Sequence, residues 1–196
     1  MPKRVAVVGA TGARGSSVVQ TILKSAHRDE WTIRALSRNT EGAAAKDQEK
    51  AGVEVVAADL TDLESLKAAF SDCYAVFAMT DFFVPFANFD ADADKAIALE
   101  RQLAANIYDA VKANPSIVHF IWSTLPHAEK ISQGKYKVPH FVAKNGLDDR
   151  IKADPELLAK TTFLWVGWYA ANFQYPIFKP TMMVSILFRS EDIFSP

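Results

Sequence analysis

The apolar run Val5-Ala6-Val7-Val8 leads without a break into Gly9-Ala10-Thr11-Gly12-Ala13-Arg14-Gly15, and residues 16–26 continue with the period of an amphipathic helix. That turn constrains the chain more than any other feature. A strand that becomes a helix within a few residues needs backbone conformations and close approaches that a Cβ obstructs, which is what glycines supply. The turn also exposes the first amides of the helix, which together with the positive end of the helix dipole form a cradle for a diphosphate. The spacing G-x-x-G-x-x-G differs from G-x-G-x-x-G, yet it lies between first strand and first helix, where the mechanism requires it. The turn therefore points to a dinucleotide site with Gly9, Thr11, Gly12, Ala13, Arg14 and Gly15 around the phosphates. A tight turn of purely structural use is the alternative.

The rest of the chain repeats the alternation. Short runs rich in Val, Ile, Phe and Trp predict strands at 4–10, 31–36, 53–58, 74–80, 117–123 and 162–167, several of them apolar throughout, as in a parallel sheet covered on both faces. Helical patterns fall at 15–26, 62–70, 90–114 and 138–153, with 41–50 polar and helical. Thr61 and Glu64 have capping-box spacing, and Ala96, Leu99, Leu103, Ile107 and Val111 predict the inner face of the longest helix. The expected fold class is α/β, a doubly wound parallel sheet of the Rossmann type. With 196 residues, 49% of them hydrophobic, the chain suits one domain over 1–196.

The second strand decides between NAD and NADP. An NAD site places a carboxylate at its end to hold the ribose hydroxyls. Here that position reads Leu36-Ser37-Arg38-Asn39-Thr40. Arg38 attracts the extra phosphate of NADP, Ser37 and Thr40 have hydroxyls to donate, and Arg14 offers a second cation. NADP(H) is the expected cofactor. Asp59-Leu60, after the third strand, lies where such folds pass the adenine; Asp59 either accepts from its amine or terminates the strand ahead of Thr61.

Composition removes other classes. The first 98 residues carry 11 basic and 14 acidic side chains and the rest 11 and 9, so neither half has the basic surface of a nucleic-acid binder. Cys73, the one cysteine, cannot close an intramolecular disulfide and predicts a small buried side chain in a reducing, cytoplasmic setting. His27, His119, His127 and His140 are dispersed, so no metal pattern is present. Residues 161–178, between Lys160 and Lys179, are uncharged, but Gly167, Asn172, Gln174 and Pro176 favour strand and loop over a bilayer span. The N-terminus lacks a signal-peptide pattern.

The loop from Gly9 to Gly15, Leu36-Ser37-Arg38-Asn39, Ala78-Met79-Thr80-Asp81-Phe82, Ser123-Thr124-Leu125-Pro126-His127-Ala128, Gly134-Lys135-Tyr136-Lys137-Val138-Pro139-His140-Phe141 and Lys144 together resemble the NmrA-like family, over about residues 3–180. That family is an atypical branch of the short-chain dehydrogenases/reductases, with isoflavone-reductase-like relatives. The resemblance implies an NADP(H)-binding domain, with Thr80 and Lys144 beside the coenzyme and Lys144 on the nicotinamide ribose. It implies a reduced substrate region over about 155–196. Trp165-Val166-Gly167-Trp168-Tyr169-Ala170-Ala171-Asn172-Phe173 resembles a segment passing near the nicotinamide, whereas Met182-Met183-Val184-Ser185-Ile186-Leu187-Phe188 shows no family pattern.

Reductases of the wider superfamily place a Tyr four residues before the Lys, so that the ammonium lowers the phenol pKa. Here the pair is His140 and Lys144. His140 is either an acid/base group or a helix-start residue with a structural bond. Tyr136 substitutes as donor if the turn at Lys137-Val138-Pro139 folds back. Ser123 and Thr124 either orient a substrate carbonyl or cap the next turn. Two functions follow. One is an NADPH-dependent oxidoreductase acting on a small carbonyl or enone; the other is a non-catalytic NADP(H)-sensing regulator with a protein partner such as a transcription factor, nuclear in that case. Oligomeric state is open.

Overall fold

The protein is described here by a computed structural model, which describes residues 2–167 and 169–174. The chain divides into two units, Met1–Trp165 and Val166–Pro196. The first holds β1 (Lys3–Val7), α1 (Ala13–Leu23), β2 (Trp31–Ser37), α2 (Ala43–Lys50), β3 (Glu54–Ala57), α3 (Leu63–Ala69), β4 (Ala75–Ala78), α4 (Phe83–Asn88), α5 (Ala93–Lys112), β5 (His119–Thr124), α6 (Ala128–Ile131), α7 (Pro139–Lys152), α8 (Pro155–Ala159) and β6 (Thr161–Trp165). Residues Pro155–Ala159 and Thr161–Trp165, expected as substrate region, thus belong to the sheet unit. Of the second unit, the 3-10 turn Ala170–Gln174 is described; Trp168 and Met182–Phe188 lie outside the described residues.

The sheet runs β3-β2-β1-β4-β5-β6 with every pairing parallel. This is the expected doubly wound Rossmann order, which reverses direction between β1 and β4 and opens a crevice beyond the strand ends there. Alternation along β1 shows how the sheet is covered. Ala6 and Val8 pack with Val76, Ala78, Phe120 and Trp122 against α3, α5 and α7, whereas Val5 and Val7 pack with Ile33, Ala35 and Phe77 against Val19 of α1. Burial on both faces explains the continuous apolar runs. Cys73 is fully buried, and burial pushes its thiol pKa up, as expected for an inert packing residue.

Three local expectations are corrected. α3 is capped by Asp62, whose Oδ1 accepts from the amides of Glu64 and Ser65, because Thr61 is held one step earlier by Asp59. α5 begins at Ala93, since Asp90 and Ala91 take φ of 52° and 64° and cannot join a right-handed helix; Asp92 caps it instead. The buried face of α5 is Ala96, Ile97, Glu100, Ala104, Ile107, Ala110 and Val111, with Leu99 and Leu103 only half-buried. A glutamate thus occupies a place expected for leucine.

Candidate functional site

The glycine turn closes as its sequence requires. Gly9 has φ +67°, and the Gly12 amide donates to Gly9 O at 2.9 Å. Gly15 has no room for a side chain, because a Cβ there would lie 2.2 Å from Gly9 O. Gly12 caps α1 without a side-chain acceptor, so the first-turn amides remain available at the strand edge. Sequence reasoning missed one support: buried Gln48 of α2 donates through Nε2 to Ala10 O at 2.6 Å, tying the turn to the next helix.

Beside the turn, Thr11, Ser37, Arg38, Asn39 and residues 42–45 line an open cleft of about 570 Å³. Arg38 is exposed there, and α2 begins at Ala43 with Gly42 as a cap that offers no side-chain oxygen. Ser37 departs from expectation, since its hydroxyl donates to Asn39 O at 2.9 Å and accepts from the Asn39 amide, which closes the loop and spends its proton. Thr40 does not line the cleft. Arg14 also departs: Nη1 donates to Ser123 Oγ on β5 at 3.3 Å, which lies on the opposite side of β1 from β2. It therefore does not join Arg38. Burial lowers its pKa, against Asp81 and Glu100. Asp59 Oδ1 accepts from both the amide and the hydroxyl of Thr61, bonds that hold its carboxyl below the usual range, so this oxygen terminates the strand; Leu60 O accepts from Asn106.

Beyond β4 the site is made of buried side chains. Lys144 Nζ donates to Thr80 O at 2.7 Å, Thr80 Oγ1 at 3.0 Å and Glu100 Oε1 at 2.5 Å, and the Thr80 hydroxyl donates to the same Glu100 oxygen. Lys144 is 2% exposed and Glu100 is fully buried. Burial lowers the Lys144 pKa, and Glu100 opposes that. One turn back on α7, half-buried His140 packs its ring against Phe82, Phe83 and Phe141. Burial lowers its pKa too, so the imidazole is neutral at pH 7. Tyr136 is 59% exposed, with its amide on Ser132 Oγ and Lys135 Nζ over its ring. The turn at Lys137-Val138-Pro139 instead delivers Pro139 into α7, and no contact of Tyr136 with Lys144 is present among the described residues. Ser123 accepts from Arg14, while Thr124 donates to buried Asp148 at 3.0 Å, so neither hydroxyl caps the following turn. Asp148 also accepts from Trp122 Nε1 at 2.8 Å, which locks α7 to β5.

These parts fit a phosphorylated dinucleotide. An anion cradle that a Cβ would fill lies at the switch between β1 and β4, and a guanidinium waits beyond β2. The model of the NmrA-like family matches residues 1–186. The chain belongs to the NmrA-like family. The family match runs past 180 and takes in Met182–Ile186, part of the tail in which no family pattern was expected. Among its relatives, an NmrA-like family domain-containing protein of Dictyostelium discoideum is 31% identical over 178 residues, covering 88% of this chain and 53% of that protein. The NmrA-like family domain-containing oxidoreductase hkm9 of Aspergillus hancockii is 29% identical over 173 residues, covering 86% and 47%. The crystal structure of NmrA, a negative transcriptional regulator, superposes with TM-score 0.63 at 22% identity, covering 88% of this chain and 48% of that one. Citrobacter sp. triphenylmethane reductase, solved with NADP(H), gives 0.62 at 23%, covering 87% and 51%. This NmrA-like chain spans about half the length of the curated relatives it matches.

Proposed function

We propose that the chain binds NADP(H) and serves as the coenzyme-binding part of an NADPH-dependent oxidoreductase for a small carbonyl or enone. The observation that carries the coenzyme reading is the cleft that sets Arg38 and the uncapped start of α2 opposite Thr11 of the glycine turn. A 2′-phosphate there meets a guanidinium and helix-end amides, while the amides of Gly12, Ala13 and Arg14 take the diphosphate. Asp59 and Leu60 sit at the adenine edge. The oxidoreductase-named relatives and the NADP(H)-bound reductase support the same reading.

When bound, the coenzyme supplies a hydride. The protein supplies charge, orientation and protons. Arg14 and Lys144 place two cations beyond β4 and β5, and Lys144 holds Thr80 by both its carbonyl and its hydroxyl. His140 is the group nearest to Lys144 in sequence that can carry a proton at neutral pH. Its neutral ring, walled by Phe82, Phe83 and Phe141, holds a proton on one nitrogen and accepts on the other. The exposed Tyr136 is the weaker donor of the two.

A regulator that senses NADP(H) and binds a protein partner is the second reading, favoured by the absence of a phenol four residues before Lys144 and by the likeness to NmrA. No helix among the described residues is long and apolar enough to cross a membrane.

Calorimetry tests the coenzyme reading. NADPH is expected to bind more tightly than NADH, and Arg38→Ala to weaken NADPH about tenfold while leaving NADH unchanged, the loss of one charge-assisted contact. No heat from either coenzyme overturns it. NADPH oxidation against a panel of quinones, enones and aldehydes separates the two functions: turnover that His140→Phe suppresses identifies the enzyme. No turnover, with NADP-dependent retention of a protein partner, identifies the regulator.

A further inference from the structure

Glu100 is the feature of this site that neither the glycine turn nor the Arg38 cleft requires. It is a carboxylate in the middle of α5, fully buried, and it uses one oxygen for everything: Oε1 accepts both Lys144 Nζ and the Thr80 hydroxyl, while Oε2 has no hydrogen-bond partner among the described residues. An ion pair of this kind brings little net stability, because removing two charges from water offsets most of their attraction. Two apolar side chains would fill the same space at no desolvation cost.

We infer that Glu100 is a positioning residue that holds the Lys144 ammonium on Thr80, beyond β4, on the side where the coenzyme reading puts the nicotinamide half. The inference rests on the coenzyme reading above. Its geometry is a fork: Glu100 approaches from α5, Lys144 from α7, and both close on Thr80, two residues past the end of β4. The other charged and titratable groups acting on this pair are Arg14 from α1, Asp81 from the loop before α4 and His140 from the first turn of α7. Arg14 repels the ammonium, His140 is neutral at pH 7, and Asp81 is exposed. Glu100 is therefore the carboxylate that opposes desolvation at close range.

The consequence is a pH signature. Without the carboxylate, burial acts on Lys144 against exposed Asp81 alone, and its pKa falls further. Above that pKa the amine has two protons where the ammonium has three, so it can no longer hold Thr80 O, Thr80 Oγ1 and residue 100 together, and the charged fraction falls about tenfold per pH unit.

NADPH affinity of the whole chain, measured by fluorescence titration from pH 6 to pH 9.5, tests this. Wild type is expected to hold its affinity to a higher pH than either Glu100 variant, once the 2′-phosphate has ionised. Glu100→Gln is expected to bind no more weakly than wild type at pH 6.5 and to lose affinity on the alkaline side at a lower pH than wild type does. Glu100→Asp, which withdraws the carboxylate by one methylene and is the gentler change for folding, is expected to show its alkaline fall at a higher pH than Glu100→Gln. Profiles of both variants parallel to wild type overturn the inference and leave the coenzyme reading intact. Failure of wild type to bind NADPH at any pH overturns that reading first.

Discussion

The two halves of the site are built from different materials. Between β1 and β2, the side proposed for adenosine, the available groups are backbone amides, one exposed guanidinium and glycines whose missing side chains leave room. Beyond β4, the groups are side chains from four separated segments, Arg14, Thr80, Glu100 and Lys144, engaged in one electrostatic cluster, with Lys144 and Glu100 out of water. The first half has a shape that local sequence enforces. The second is a set of charges that only the fold brings together. A backbone cradle tolerates changes of neighbouring side chains and fails when a Cβ intrudes. A buried charge cluster fails when any one partner is lost.

Lys144→Met is the harshest test of that difference. It leaves the Glu100 carboxylate buried without a counter-charge, and the expected cost is about 3–5 kcal/mol in urea unfolding at pH 7.5. The double change Lys144→Met with Glu100→Met removes both charges and is expected to recover most of that loss. Failure to recover would mean that the fold depends on the ion pair for more than charge balance. Gly15→Ala probes the other half. Its Cβ would lie 2.2 Å from Gly9 O and 2.7 Å from the Ala10 Cα, contacts with backbone that no rotamer relieves, so a loss of about 3 kcal/mol is expected, with NADPH binding abolished. A variant that kept both stability and binding would show that the turn has slack which the strand-to-helix geometry denies.

The same contrast explains what the sequence made readable. Gly9, Gly12 and Gly15 announce themselves because the demand on them is local: a positive φ, an uncapped helix start and a close approach all arise within seven residues. Arg38 is legible because a parallel strand delivers its end to the ligand edge. The direction of Arg14 was not, since nothing near it in sequence says that its guanidinium turns toward Ser123, 109 residues away. Glu100 was missed for a related reason. Leucines at 99 and 103 attract the inner face to themselves, although Ala96, Glu100, Ala104, Ile107 and Val111 make an equally regular stripe. A glutamate in the middle of a small-residue stripe, in a chain with a solitary lysine expected at the site, was the available signal. Gln48 follows the same rule, as its tether to Ala10 is a contact between elements.

Outside the site the effects are smaller, and they check that the comparison concerns the site and not the scaffold at large. Ala91 holds φ 64° in the turn before α5, a conformation that glycine adopts without strain. Ala91→Gly is expected to stabilise the chain by about 0.5–1 kcal/mol in urea unfolding, relief of strain exceeding the entropy that glycine adds to the unfolded state. NADPH affinity should stay the same. A loss of stability would mean that the Ala91 side chain makes packing contacts worth more than its strain.

The gentlest case is a half-buried carboxylate whose pH dependence has a definite sign. Asp154 accepts from the Tyr108 hydroxyl, the Leu157 amide and Lys112, and these bonds hold its pKa down to about 2. A carboxylate depressed in the folded state binds protons more readily when unfolded, so its contribution is present above pH 4 and is lost as the pH falls from about 4 to about 2. Asp154→Asn keeps a cap for α8 but removes that titration. Wild type is therefore expected to lose more stability than Asp154→Asn between pH 4 and pH 2.5, in paired urea titrations. Equal losses would place the acid sensitivity of this scaffold elsewhere. Because Asp154 joins α5 to α8 away from the strand ends, either outcome should leave coenzyme affinity at pH 7 unchanged, which Lys144→Met and Gly15→Ala should not.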